Sequence, residues 1–97
     1  MIIHISLFYL KNPADAEKMC EALRSVSDPS IVKNIVGMNI VSVPLFDGAP
    51  VMADAAQILY FASEADAAAY PAGKAHRALQ EKTDSMISQV AAIDFPV

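Results

Sequence analysis

The sequence is poor in charge: lysine, arginine, aspartate and glutamate together supply only 19% of its 97 residues. No run of Lys or Arg occurs, and the net charge is −4. Phosphate backbones and anionic lipid would be repelled, so neither nucleic acid nor a membrane is an expected partner. The one cysteine, Cys20, cannot close an intrachain disulfide or build a thiolate metal site. It falls among helical apolar positions, which makes it a small buried side chain before a reactive thiol. No apolar stretch reaches the ~20 residues of a membrane span. The apolar opening from Met1 to Leu10 has no basic residues before it and no small-residue cleavage site after it. It therefore reads as a strand rather than a secretory leader, and a cytoplasmic location is expected.

What the chain has in abundance is apolar surface. Hydrophobic residues make up 55%, above the roughly 45–50% of ordinary globular chains. A chain of this length forms one domain, residues 1–97, with no room for a second core. A small monomer has a high surface-to-volume ratio and should be more polar than average. This one is less polar, which points to surface covered by something else.

The punctuation is clear along most of the chain. Residues 2 to 10 are β-branched and aromatic without a breaker, a first strand. Asn12-Pro13 starts a helix, with a capping side chain followed by a proline tolerated at the first helical position. Ala16, Met19, Cys20, Leu23 and Val26 then recur at helical spacing up to Asp28-Pro29. Residues 35 to 43 read as a second strand, closed by Pro44, with Asp47-Gly48 and Pro50 in the loop that follows. Ala55 to Ala62 is a third strand. Ser63 caps the next helix, which carries Glu64 and Asp66 in its first turn and stops at Tyr70-Pro71. After a bend at Gly73, a longer helix is expected from Lys74 to Gln89, with Leu79, Thr83, Met86, Ile87 and Val90 on one stripe. Ala91 to Phe95 completes the set as a short last strand.

The order β-α-β-β-α-β implies an α+β, ferredoxin-like domain in which the helices cover one sheet face. The strands, however, are apolar on both sides. Ile3, Ile5, Leu7 and Tyr9 alternate with Ile2, Phe8 and Leu10, and Ile58 and Tyr60 alternate with Leu59 and Phe61. A sheet with one face in water should alternate cleanly. Leaving such side chains exposed would forgo ~1.5–3 kcal/mol each. A homodimer that packs the open face bearing Ile3, Ile5, Leu7 and Ile58 against its own copy removes the problem.

Several residues together resemble the stress-responsive dimeric α/β-barrel family, often called Dabb. They are the opening Ile3-His4-Ile5-Ser6-Leu7-Phe8, Tyr70 followed six residues later by His76, and Ile93-Asp94-Phe95 near the end. The resemblance spans almost the whole chain. One departure stands out: Gly73 and Lys74 occupy the place where family members commonly carry a His-Pro pair. The resemblance implies a homodimer whose two sheets close into a barrel and, in some members, a small-molecule cavity between sheet and helices. In one plant branch, polyketide cyclases, it implies a Tyr and a His acting as a proton-handling pair. Haem-degrading monooxygenases with a similar barrel are expected to shield their substrate with Trp, which this chain lacks.

Tyr70 and His76 are therefore the candidate catalytic residues. Along an unbroken helix, six residues would set them about 240° apart. The break at Pro71 and Gly73 lifts that restriction, and His76 shares a stripe with Leu79 and Thr83 that should face the sheet. A neutral imidazole can accept a proton while a phenol donates to a developing enolate, which suits proton abstraction beside a carbonyl. Three roles remain open for the pair: such chemistry, binding a small molecule without chemistry, or holding the helix junction together. His4, Ser6, Asn39 and Gln57 are expected to turn under the helices as polar, substrate-binding points, among apolar walls that include Val41, Leu59 and Phe61. Two histidines without spaced carboxylates make no recognisable metal site, and no cofactor is expected.

Overall fold

The computed structural model describes residues 1–29, 32, 35–42 and 53–97. Four strands form one antiparallel sheet: β1 (Ile2–Leu10), β2 (Ile35–Ser42), β3 (Ala55–Phe61) and β4 (Ile87–Pro96), in the order β2-β3-β1-β4. Three helices, α1 (Ala16–Ser27), α2 (Glu64–Ala69) and α3 (Lys74–Thr83), complete the α+β, ferredoxin-like domain. The expected loop residues Pro44, Asp47, Gly48 and Pro50, with the end of the second strand at Val43, lie outside the described residues.

Local chemistry accounts for the helix starts. The Asn12 side chain accepts from the Ala14 amide at 3.1 Å, and Pro13 opens a short 3-10 turn that leads into α1. The Ser63 hydroxyl accepts from the Asp66 amide at 3.2 Å and caps α2. A single 3-10 turn, Tyr70–Ala72, then separates α2 from α3 and closes with the Gly73 amide on the Tyr70 carbonyl at 3.0 Å. The break expected at Pro71 and Gly73 is present.

The expected helix from Lys74 to Gln89 is shorter. It stops at Thr83, and Ile87 to Pro96 is a ten-residue strand rather than a short one from Ala91. The apolar set Thr83, Met86, Ile87 and Val90 fits a helical stripe, but Ile87, Gln89 and Val90 sit opposite Leu10, Tyr9 and Phe8 in the β1 ladder. Pairing that whole edge satisfies more buried backbone than one extra helical turn could. Asp84 also stands where the helix dipole disfavours an acid.

Even-numbered residues of β1 face the helices and odd-numbered ones face away, because strand side chains alternate. Two apolar clusters fill the covered side. One joins Phe8, Leu10, Met19, Cys20, Leu23 and Leu79; the other joins Ile35, Leu59, Phe61 and Tyr70. The Cys20 thiol lies fully inside, and burial pushes its pKa up; Arg24 partly offsets the rise and Glu17 adds to it. On the uncovered side Ile3, Ile5, Leu7, Ile58 and Tyr60 are half-buried, while Ile93 is 58% and Phe95 37% exposed. Among the described residues, no helix is long and apolar enough to cross a membrane.

Candidate functional site

A cavity of about 210 Å³ lies between the covered sheet face and α3. Its polar lining comes from Tyr70, from His4 and Ser6 on β1, Gln57 on β3, His76, Gln80 and Thr83 on α3, and Asp84 just after that helix. Phe8 and Leu79 from one apolar cluster and Val90 from β4 supply greasy wall. A few convergent polar groups among apolar ones is the usual make-up of a small-molecule pocket.

The 3-10 turn brings Tyr70 and His76 together. Their ring centroids lie 5.4 Å apart with planes at 75°, an edge-on contact. Phe61 packs on the same phenol ring at 5.5 Å, and His4 stands 6.3 Å away. Both the Tyr70 hydroxyl and His76 Nδ1 are buried without a hydrogen-bond partner. Burial pushes the Tyr70 pKa above its ordinary value of 10.0, and nearby Ser27 and Gln57 oppose part of that rise. Neither completes a hydrogen bond with the phenol; the Gln57 amide donates instead to the Ser27 hydroxyl at 2.7 Å.

Along the floor runs a second polar chain. Asp94 Oδ1 lies 2.6 Å from His4 Nδ1, and Ser6 Oγ lies 2.8 Å from His4 Nε2. His4 and Asp94 sit directly opposite each other in the β1–β4 ladder. Thr83 is bonded to its own helix, donating to the Leu79 carbonyl at 2.8 Å.

Of the six residues singled out in the sequence, five line one cavity: Tyr70, His76, His4, Ser6 and Gln57. Asn39 does not. It pairs opposite Ile58 on the uncovered face and donates to the Tyr60 hydroxyl at 2.9 Å. Val41, expected as apolar lining, shares that face opposite Ala56. Strand alternation separates the two sets of residues but does not say which set of β2 matches which set of β1; the ladder with β3 decides that. A bulge between Ile35 and Gly37 shifts the count once more. A Cβ at Gly37 would stand 3.1 Å from Tyr60 Cδ2, so a larger residue there would have to displace that ring slightly. Leu59 and Phe61 do face inward, but pack behind Tyr70 rather than on the cavity. Asp94 and Ser27 escaped sequence reasoning as partners of the polar groups. An acid between Ile93 and Phe95 was the available signal for Asp94; Ser27 carried none.

The family model described as Stress responsive A/B Barrel Domain matches residues 2–97. No curated protein matches the chain. Among solved structures it is similar to a dimeric protein of ferredoxin-like fold from Bacteroides fragilis, with TM-score 0.79 and 15% identity over 99% of this chain and 95% of that one. A dimeric ferredoxin-like protein from Thermobifida fusca gives TM-score 0.78 and 23% identity over 99% and 90%. A Dabb family protein from Mesorhizobium loti gives 0.77 and 14% over 99% and 95%. At these identities the likeness is one of fold.

Proposed function

Because the chain belongs to the stress responsive A/B barrel family, we propose that it acts as a homodimer binding a small, partly apolar carbonyl compound beside His76. Tyr70 and His76 then handle protons next to that carbonyl, as in a cyclase or isomerase. The observation that carries this reading is the pair of buried, unpartnered polar atoms, Tyr70 Oη and His76 Nδ1, on one cavity. Buried polar groups nearly always find partners, and one left without costs about 1–3 kcal/mol. A ligand with an oxygen acceptor and an acidic C–H would satisfy both.

With its proton on Nε2, His76 presents the Nδ1 lone pair to the cavity and can take a proton from the carbon beside a carbonyl. The enolate that develops needs a donor, and the Tyr70 phenol, held protonated by its burial, supplies one.

Two observations support the dimer. The uncovered face carries Ile3, Ile5, Leu7 and Ile58 with the exposed Ile93 and Phe95 beside them, and the relatives from B. fragilis and T. fusca are described as dimeric. Two such sheets stacked face to face form the barrel. A non-catalytic, structural role in a stress response is favoured by one feature: Tyr70 also packs against Phe61 and Leu59 as part of the core.

Deuterium exchange at the carbon between the carbonyls of a simple 1,3-diketone tests the reading. The protein should accelerate it, and His76→Ala and Tyr70→Phe should each lower the acceleration by roughly 10²–10⁴-fold. Acceleration that survives both substitutions would remove the proposed chemistry. Diketone binding without acceleration would leave a binding protein.

A further inference from the structure

We propose that Ser6, His4 and Asp94 form a nucleophilic triad on the cavity floor that can transfer an acyl group from a short-chain ester or thioester to water. This activity goes beyond proton transfer at His76 and does not depend on it.

The two contacts of His4 set the direction of the hydrogen bonds. A carboxylate only accepts, so His4 Nδ1, at 2.6 Å from Asp94 Oδ1, carries the ring proton. In the neutral ring, Nε2 then has only its lone pair, and the Ser6 hydroxyl at 2.8 Å donates into it. That is the polarity a serine nucleophile requires: base within reach, base oriented by a third group. The opposite polarity would make Ser6 an acceptor and leave it inert.

The scaffold holds all three rigidly. His4 and Ser6 are two residues apart on β1 and so share a face, and Asp94 is the ladder partner of His4 on β4. No loop intervenes, which favours a fixed geometry. Exposure is graded along the relay: Ser6 is 5% exposed, the His4 side chain 18% and the Asp94 side chain 56%. The nucleophile faces the cavity, and the acid faces water. Tyr70 lines the same cavity and its buried hydroxyl has no partner, so it is the donor this triad assigns to the oxyanion. About 210 Å³ limits the acyl group to a few carbons.

The step balances with water as the only co-reactant. Ser6 Oγ bonds to the acyl carbon while its proton passes to His4 Nε2, and the carbonyl electron pair moves onto oxygen, facing Tyr70. The pair returns, the bond to the leaving oxygen or sulfur breaks, and the leaving group takes the proton from His4. Water then attacks the acyl-Ser6 carbon and gives its proton to His4. The bond to Oγ breaks, the proton returns to Ser6, and the acid departs. Nothing is oxidised or reduced.

The test uses the intact protein with p-nitrophenyl acetate and, separately, with an alkyl fluorophosphonate, each followed by mass spectrometry of peptides. The fluorophosphonate, which the cycle does not release, should leave an adduct on Ser6 that is absent from Ser6→Ala, and p-nitrophenyl acetate should give an acetyl-Ser6 that forms and then hydrolyses. His4→Gln and Asp94→Asn should slow fluorophosphonate labelling by roughly 10²–10⁴-fold while the circular dichroism stays unchanged. If His4→Gln fails to fold, the exposed Asp94→Asn decides alone. No adduct on Ser6, adducts only on other residues, or equal rates in Asp94→Asn and the parent protein would each overturn the triad. That result would leave the diketone chemistry at His76 untouched, since its own variants test it.

Discussion

The imidazole of His76 meets the phenol of Tyr70 edge-on, with centroids 5.4 Å apart, across a helix break of one 3-10 turn. A continuous helix would have set them on different faces. Both residues line the same cavity and each carries a buried polar atom without a hydrogen bond, so the contact between rings fixes their positions without using up either atom.

Removing the Tyr70 hydroxyl should therefore cost the free protein little. Tyr70→Phe deletes a buried group that has no hydrogen bond, and the melting temperature should stay level or rise, with a gain of at most about 1 kcal/mol. A structural role for the hydroxyl demands the reverse, a loss of about 0.5–1.5 kcal/mol. Calorimetry of the two proteins without ligand separates the cases.

Ile5→Lys should give monomers or aggregates. Ile5 sits on the uncovered face between Ile58 and Ile93, so the substitution sets a charge at the centre of the proposed interface. Sedimentation should find the parent protein as a dimer at micromolar concentration. A stable monomeric parent would undo the inference from two-sided apolar strands.

Ser27→Ala should destabilise the fold by about 1–3 kcal/mol, because it strands the buried Gln57 amide that donates to Ser27 at 2.7 Å. Replacing both, as Ser27→Ala with Gln57→Leu, should recover much of the loss. Urea unfolding of the single and double variants measures this directly; a neutral single variant would show that the amide finds another partner.

Stability should decline in alkali partly through Tyr70. Its pKa is raised in the folded state, so the unfolded chain gives up that proton first. The contribution is whole below the ordinary phenol value of 10.0 and is lost as pH climbs past it toward the higher folded value. Tyr70→Phe should flatten the decline. The chain has three tyrosines and no tryptophan, so tyrosinate absorbance can follow the titration, and the variant should lack a step above the ordinary value.

Most of the fold was legible in the sequence because its signals are local. β-branched runs, Asn12-Pro13, Ser63 and Pro71-Gly73 each act on a few neighbouring residues, and each structural boundary follows. The end of α3 was not legible, because Met86, Ile87 and Val90 satisfy helical and extended periods alike and only pairing with β1 chooses between them. The site divides along the same line. Tyr70, His76, His4, Ser6 and Gln57 lie on elements whose facing follows from their own period or break. Asn39 depended on how two strands align across a bulge, which no local pattern states. Asp94 as the partner of His4 is likewise a matter of ladder register.

The alternation of β1 has an evolutionary consequence. His4, Ser6 and Phe8 turn toward the cavity, while Ile3, Ile5 and Leu7 turn toward the uncovered face. Point substitutions at even positions can alter what the cavity accepts, and those at odd positions what the sheet packs against, each set drifting on its own. A single-codon insertion or deletion within the strand exchanges the two sets beyond it and destroys both properties at once. Descendants of this sequence can change one face of the first strand without the other, but not the strand's length.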